Sequence, residues 1–295
     1  MQLSKEGNKA ELMRLWQDIF HDSDEFVKLF FDGFYRPENA FIIKRNNLII
    51  SALHILPYKI KINEALIPAV YICGVCTVPS ERGNGLMREL MVAAKDEIIK
   101  RGYGASLLIP QEPWLFDVYK KLGYTVPIRR RVVTCMYSAH PVRHKIRPTL
   151  PEDFTYFDRK QKKRNRTILH DEKAFNLIIK DLRNDGGNVW TAVENDTPVG
   201  ITFVDRGILF RELHAKNDDV KQALINFVLE EQTQTQTRMQ KQTQTQAKAK
   251  ANEQAKEAKI HLPCSSDDDK SEIFGLAMNL KNLDLTGLYA PLMIE

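Results

Sequence analysis

The sequence predicts an α/β protein with a mixed sheet, and the order of elements in residues 67–137 carries this prediction. Residues 67–78 form an almost continuous apolar run, as in a central strand covered on both faces. Residues 85–101 and 113–122 have helical spacing, and the buried-strand pattern of 105–109 lies between them. Alternating strands and helices in this order indicate a sheet with at least one parallel crossover.

The N-terminal residues predict two helices followed by an antiparallel hairpin. Apolar side chains recur at helical intervals over residues 10–20. The Asp-Ser-Asp sequence at 22–24 offers an N-cap for a second helix over 25–34. Two β-rich runs, 40–43 and 48–56, are separated by a short polar turn, which is typical of a hairpin.

Three prolines in residues 141–151 predict a boundary between two domains, 1–140 and 141–295. Roughly 100–200 residues per domain is usual, so a chain of 295 residues is consistent with two. The second half repeats a weaker pattern, with a helix over 172–183 and a hairpin over 189–204.

A low-complexity insertion follows the helix predicted over 219–231. Residues 232–259 first alternate Gln and Thr and then become rich in Ala, Lys and Glu. They contain almost no apolar side chain larger than alanine and have little to bury, so we predict a disordered surface insertion in the Gln/Thr part. Residues 246–259 have high helix propensity, which favours an outward extension of the helix.

Composition excludes several classes of protein. The chain carries 43 Lys and Arg against 38 Asp and Glu, a net charge of +5 that permits an anionic ligand but does not require nucleic acid. No apolar run approaches the roughly 20 residues of a membrane span, and the polar N-terminus does not resemble a secretory signal. Four cysteines without an export signal predict reduced thiols and a cytoplasmic protein.

A basic cluster lies at residues 159–166, with six positive charges in eight residues. A solvated helix face is the favoured interpretation, and a surface for an acidic partner is the alternative. Aromatic residues do not alternate with these charges, so the cluster does not favour single-stranded nucleic acid. We therefore predict neither a nucleic-acid nor a membrane partner.

The segment that indicates chemistry is a strand, a glycine-bearing loop and a helix start. Its candidate ligand-binding residues are Val75, Cys76, Thr77, Val78, Arg82, Gly83, Asn84, Gly85, Leu86, Met87 and Arg88. Glycines let backbone N–H groups approach a ligand closely. These groups and the positive end of the helix dipole form an anion site suited to a pyrophosphate.

Two common phosphate loops do not fit this segment. A Walker loop requires Lys followed by Ser or Thr after its last glycine, and neither pair follows Gly85. A dinucleotide fingerprint that began at Gly83 would need a third glycine at Arg88.

The loop resembles the signature of the GNAT N-acetyltransferase superfamily. The family pattern is Arg/Gln-x-x-Gly-x-Gly/Ala, and residues 82–87 match it except that Met87 replaces the small residue. Residues 116–124 resemble the family's Tyr-x-x-x-Gly-Phe/Tyr helix end. A bulky residue at the Met87 position is similar to the Eis-like branch, which has tandem GNAT-like domains with a degenerate second copy. That branch also carries a C-terminal sterol-carrier-like domain, which this sequence lacks.

The resemblance implies a direct acetyl transfer from acetyl-CoA to an amine, an acyltransferase reaction of EC type 2.3.1 that needs no metal. The loop would bind the pyrophosphate, and residues 75–78 would pair with the pantetheine and supply an oxyanion donor. Tyr119 would be the general acid, and the terminal carboxylate of Glu295 would act in catalysis. The acceptor, a small molecule or a peptide amine, and a homo-oligomeric state stay open. A non-catalytic CoA-binding or regulatory module is the alternative.

The general base is not determined by the sequence. His54, Glu112 and Asp117 are candidates, although each fits a structural role better. Cys73 and Cys76 form a CxxC pair, but a second pair for zinc is missing and the pair lies inside a strand. Metal or redox chemistry is therefore not predicted.

Overall fold

A computed structural model of the chain describes residues 2–138, 144–206, 209–242, 257–263 and 271–293. The α-helices in these ranges are α1 Lys9–Phe20, α2 Asp24–Gly33, α3 Leu86–Lys100, α4 Pro113–Lys121, α5 Phe154–Gln161, α6 Glu172–Asn184 and α7 Asp218–Gln242. The strands are β1 Gln2–Leu3, β2 Ala40–Arg45, β3 Leu48–Ile62, β4 Ala65–Thr77, β5 Ala105–Leu108, β6 Val126–Met136, β7 Lys145–Pro148, β8 Thr167–Leu169, β9 Asn188–Glu194, β10 Thr197–Val204, β11 Leu209–Ala215, β12 Glu257–Pro263 and β13 Ser271–Asn279. No helix in the described ranges combines the length and hydropathy that a membrane span requires.

The strands form one mixed sheet, which confirms the predicted α/β class. Their spatial order is β1-β2-β3-β4-β5-β13-β6-β12-β11-β10-β9-β7, and β8 pairs with β3 beside this path. Two neighbouring pairs are parallel, β4 with β5 and β11 with β12, and the other described pairs are antiparallel. Each parallel pair is joined by one helix, α3 in the first case and α7 in the second.

The last strands of the two halves lie side by side in the middle of the sheet. Strand β13 lies between β5 and β6, and β6 lies between β13 and β12. The predicted boundary at 140/141 falls on residues 139–143, outside the described residues, and the division into two domains stays a prediction.

Helices cover both faces of the first half of the sheet. Trp16 of α1 and Phe30 of α2 pack in one hydrophobic cluster with Ala52 of β3. The adjacent strand residue Leu53 belongs to a second cluster with Leu90 of α3. Since successive strand residues point to opposite faces, the two helix pairs sandwich the sheet. Burial of each large side chain contributes about 1.5–3 kcal/mol.

Local capping explains where the predicted helices begin. The Ser23 hydroxyl accepts a hydrogen bond from the Phe26 N–H at 3.1 Å, which starts α2 within the predicted cap. Asp171 does the same for the Ala174 N–H at 2.8 Å and starts α6.

The structure corrects the interpretation of the low-complexity segment. Helix α7 continues through Gln242, so residues 232–242 are helical rather than disordered. Glutamine has good helix propensity, and the Thr233 hydroxyl donates to the Leu229 carbonyl at 2.9 Å. Residues 243–256 lie outside the described residues. Residues 257–259 belong to β12 rather than to a helix, because Ala258 and Ile260 alternate inward and are buried.

The basic cluster is not the solvated helix face that the sequence predicts. Helix α5 ends at Gln161. Arg164 turns into the protein, where it pairs with Glu212, a carboxylate that is only 1% exposed. Arg166 pairs with Asp284 near the C-terminus. The acidic partners of two of these cations are therefore distant parts of the same chain.

Candidate active site

A cleft forms where the two parallel strands of the first half separate. Strands β4 and β5 pair only at Ala69–Ala105, Val70–Ser106 and Tyr71–Leu107. Beyond Tyr71 a cleft of about 420 Å³ opens between them. Its wall comes from α1, β4, α4 and β13, and includes Trp16, Asp22, Cys73, Gly74, Val75, Glu112, Phe116, Tyr119, Arg130, Glu272 and Phe274.

A bulge at Gly74 accompanies this separation. The register between β3 and β4 shifts here, so that Gly74 and Val75 together oppose the single residue Leu53. Gly74 has a φ of +57°, and a Cβ at this position would overlap the indole of Trp16. Both the conformation and the close approach of the indole therefore require glycine.

The glycine loop adopts the geometry of an anion site. Gly83 and Gly85 have φ values of +81° and +76°, and no atom lies within 4 Å of the place where either Cβ would be. Gly85 is the N-cap of α3, whose first helical hydrogen bond runs from the Glu89 N–H to the Gly85 carbonyl at 3.0 Å. The N–H groups of residues 86–88 precede this bond and have no intrahelical acceptor.

Side chains fix the shape of the loop. The Arg82 Nε donates to the Thr77 carbonyl at 3.2 Å, while the side chain stays exposed. Glu81 pairs with Arg45 and accepts from the Asn84 amide at 3.4 Å. The charge of Glu81 is thereby offset, and the positive rim of Arg82 and the helix terminus is retained.

The end of β4 is held from below by Ser51. This buried hydroxyl donates to the Cys76 carbonyl at 2.7 Å and lies 2.8 Å from the Thr77 hydroxyl. The Val78 N–H donates to the Ile50 carbonyl at 2.9 Å. The strand end that leads from the cleft to the glycine loop is therefore fixed in position.

Tyr119 of α4 lies on the cleft, where its side chain is almost completely buried. Burial raises the pKa of Tyr119 to about 12, so the phenol is protonated at neutral pH. Its ring meets the Tyr124 ring edge-on with centroids 6.1 Å apart, and the Tyr124 hydroxyl lies 2.8 Å from the Ser106 hydroxyl.

The candidate bases differ in their positions. His54 is buried among the rings of Trp16, Phe30, Phe31 and Tyr35 and does not line the cleft, and burial lowers its pKa to about 3. Asp117 points to solvent and pairs with Lys120 at 3.4 Å. Glu112 lines the cleft at the start of α4. Glu295 lies outside the described residues.

Both cysteines of the CxxC pair stay protonated. Burial raises the pKa of the Cys73 thiol and raises that of Cys76 to about 12. A thiol needs to ionise before it acts as a nucleophile or a metal ligand. The part of the chain that the structure describes contains no group of three or more potential metal ligands.

Sequence reasoning missed two polar pairs on the cleft. The Trp16 Nε1–H donates to the Asp22 carboxylate at 2.7 Å. The Arg130 Nε donates to the Glu272 carboxylate at 2.5 Å. Asp22 follows α1 and Glu272 is on β13, so no local pattern connects either residue with the glycine loop.

Known proteins resemble this chain in part of its sequence and in most of its fold. Residues 2–126 match the family model described as an acetyltransferase (GNAT) domain. No curated protein matches the sequence. A probable N-acyltransferase from Enterococcus faecalis V583 has a TM-score of 0.69 at 12% identity, over 93% of this chain and 71% of that one. A GCN5-related N-acetyltransferase from Anabaena variabilis has a TM-score of 0.66 at 16% identity, over 94% and 71%. Eis1 from Mycobacterium abscessus has a TM-score of 0.64 at 11% identity, over 95% and 73%.

These likenesses establish the fold and support an acetyltransferase in general. The structural neighbours cover more than nine-tenths of the chain, so the second half shares the architecture as well. The family-model match covers the glycine loop and Tyr119. Their roles, the Eis-like branch and the tandem arrangement stay predictions.

Proposed function

We propose that this protein is an acetyl-CoA-dependent N-acetyltransferase that moves an acetyl group directly to an amine. The cleft between the diverging strands β4 and β5 carries the proposal, because it connects Tyr119 with a strand that leads to an anion-binding loop. All of these residues lie in the segment that matches an acetyltransferase family model.

The glycine loop is proposed to bind the pyrophosphate of acetyl-CoA. The exposed N–H groups of Gly83, Asn84, Gly85, Leu86, Met87 and Arg88 would face the phosphate oxygens. Arg82 adds a positive charge at the rim. Residues 75–78 would lie along the pantetheine, since β4 has left β5 at this point and its edge is available.

The same strand edge would stabilise the transition state. Attack of the amine nitrogen on the thioester carbon places negative charge on the carbonyl oxygen. A backbone N–H of Val75, Cys76, Thr77 or Val78 is proposed to donate to this oxyanion. The Gly74 bulge supports this role because it turns the strand away from regular pairing with β3.

Tyr119 is proposed to donate a hydrogen bond to the departing sulfur. As the tetrahedral intermediate collapses, the C–S bond breaks, the C–N amide forms and the thiolate leaves. Full transfer from a phenol with a pKa of about 12 to a thiolate whose thiol has a pKa near 8.5 is uphill. The phenol therefore hands over its proton as it regains one from the ammonium of the intermediate, directly or through water.

Carboxylates on the cleft favour an acceptor that arrives as a cation. Asp22, Glu112 and Glu272 line the cleft, whereas Arg130 is the single cation among its described lining residues. Glu112 is proposed to take part in deprotonation of the acceptor. The terminal carboxylate of Glu295 is a second proposed participant.

We further propose a cytoplasmic tandem of two related domains, 1–140 and 141–295, similar to the Eis-like branch. The crossovers β4-α3-β5 and β11-α7-β12 have the same form and support this interpretation. The second crossover lacks an anion loop, because only Lys216 and Asn217 separate β11 from α7. Asn217 caps α7 through the Val220 N–H at 3.0 Å, and Asp218 and Asp219 repel an anion there.

The proposal is tested by ligand stabilisation followed by turnover. Acetyl-CoA is expected to raise the melting temperature, while ATP and NAD are not. Stabilisation by ATP or NAD alone would contradict the proposed site. Release of free CoA thiol across an amine panel then separates the enzyme from a CoA-binding module.

Replacement of Tyr119 by Phe is expected to lower kcat at least 10-fold with little change in acetyl-CoA affinity, since the hydroxyl acts late in the reaction. Tyr124→Phe is the matched control, because it removes a neighbouring hydroxyl that does not line the cleft. Full turnover by the Tyr119 variant would remove that residue from the mechanism.

A further inference from the structure

A second cavity, of about 620 Å³, shares no lining residue with the cleft. It lies where α2, β3, β8, α5 and α6 meet. Its apolar wall consists of Phe34, Leu56, Pro57, Leu66, Phe154 and Leu169. A concave, mainly apolar wall with few polar groups is typical of a small-molecule site.

Two buried polar atoms belong to residues that line this cavity. Tyr58 is 8% exposed and His170 is 2% exposed. The Tyr58 hydroxyl and the His170 Nδ1 make no hydrogen bond with any part of the protein that the structure describes. A buried polar atom without a partner costs about 1–3 kcal/mol, so a pair of them in one cavity calls for an explanation.

The chemistry of the two atoms follows from their surroundings. The His170 Nε2 lies 2.8 Å from the Pro291 carbonyl, which can only accept, so Nε2 carries the proton. Burial lowers the pKa of His170 to about 4, so the ring is neutral and Nδ1 is an acceptor. Burial also raises the pKa of Tyr58, whose phenol stays a donor.

The two groups are close enough to meet one small ligand. Their rings pack edge-to-face with centroids 5.5 Å apart. One group donates and the other accepts, and a hydroxyl is the simplest group that satisfies both.

Charges around the cavity do not select an ion. The cations Arg36, Lys59, Lys162 and Lys173 are matched by the acids Asp158, Asp171 and Glu172. Asp158 pairs with Lys162, and Asp171 caps α6. An uncharged ligand fits this balance better than an anion or a cation.

We propose that this cavity binds an uncharged small molecule with an apolar ring or short chain and one hydroxyl group. The ligand hydroxyl donates to the His170 Nδ1 and accepts from the Tyr58 hydroxyl, while its apolar part contacts the wall. This site is additional to the proposed acetyl-transfer site and does not depend on it.

The test measures binding of benzyl alcohol to the full chain by ligand-observed NMR. Benzyl methyl ether is the matched probe, because it accepts a hydrogen bond but cannot donate one. Benzyl alcohol is expected to bind about 3- to 10-fold more tightly than the ether, the range for one neutral hydrogen bond. Tyr58→Phe and His170→Gln are each expected to weaken alcohol binding by a similar factor. Tyr124→Phe, outside the cavity, is expected to leave it unchanged.

Several results would overturn the proposal. These are equal binding of the two probes, variants that bind the alcohol as the wild type does, and no binding at millimolar concentrations. The melting temperature is an independent check, because loss of an unpartnered hydroxyl in Tyr58→Phe is expected not to lower it. A drop of several degrees would mean that the hydroxyl already has a partner, such as a tightly held water. No turnover is required, so failure here leaves the acetyl-transfer proposal intact.

Discussion

Substitution of Gly74 by Ala is expected to destabilise the protein and to close the cleft at the same time. The left-handed conformation, with φ of +57°, costs an Ala residue about 1–2 kcal/mol. The new methyl group would also overlap the Trp16 indole, and such overpacking costs about 1–3 kcal/mol. The combined loss of unfolding free energy is therefore about 2–5 kcal/mol.

Gly85→Ala is the matched control for this prediction. Gly85 has a similar φ of +76°, but no atom lies within 4 Å of its missing Cβ. Only the conformational cost of about 1–2 kcal/mol applies here. Because the methyl group would project toward the proposed pyrophosphate, this variant is expected to lose acetyl-CoA affinity with a smaller loss of stability.

Urea unfolding of both variants, followed by circular dichroism, separates the two costs. The Gly74 variant is expected to unfold at a lower urea concentration than the Gly85 variant. Trp16 fluorescence reports the displaced indole and should change only in the Gly74 variant. Equal losses of stability would refute the argument that the Trp16 contact, and not only the backbone conformation, requires glycine at the bulge.

Three other substitutions test separate parts of the structure. Arg82→Ala is expected to weaken acetyl-CoA binding several-fold in calorimetry, most at low salt, because a rim charge is lost. Glu212→Gln leaves the buried Arg164 without its counter-charge and should cost about 3–5 kcal/mol in urea unfolding. Burial raises the pKa of Asp181 to about 6, so its folded form binds more protons and stability falls as pH rises from about 4 to 6. Asp181→Asn should remove this decline and gain about 1–2 kcal/mol at pH 7, allowing for partial exposure; a pH dependence like that of the wild type would contradict this assignment.

Local signals in the sequence predicted the elements that position the glycine loop. The apolar run of β4, the two glycines and the amphipathic pattern of α3 are contiguous, and each is decided by nearby residues. The Ser23 cap and the end of α4 before Gly123 are local in the same sense. These features therefore needed no knowledge of tertiary contacts.

The rest of the site depends on contacts between distant residues. Trp16 and Glu272 reach the cleft from α1 and β13, which are separated by most of the chain. Arg164 looked like a surface charge because its partner, Glu212, is 48 residues away. The Gln/Thr segment was misread for a related reason: helix α7 can continue through residues with few apolar side chains once its start is packed against the sheet.

The position of β13 links the two halves of the chain at the cleft. Strand β5 has four residues, and it pairs with β4 on one edge and with β13 on the other. Without β13, the backbone of β5 along this edge would lack its partners, and the cleft would lose Glu272, Ile273 and Phe274 from its wall. The first half thus holds the glycine loop and Tyr119, but it does not form a complete cleft. A second half that has no anion loop of its own therefore contributes to the proposed chemistry by supplying the strand that closes the acceptor side.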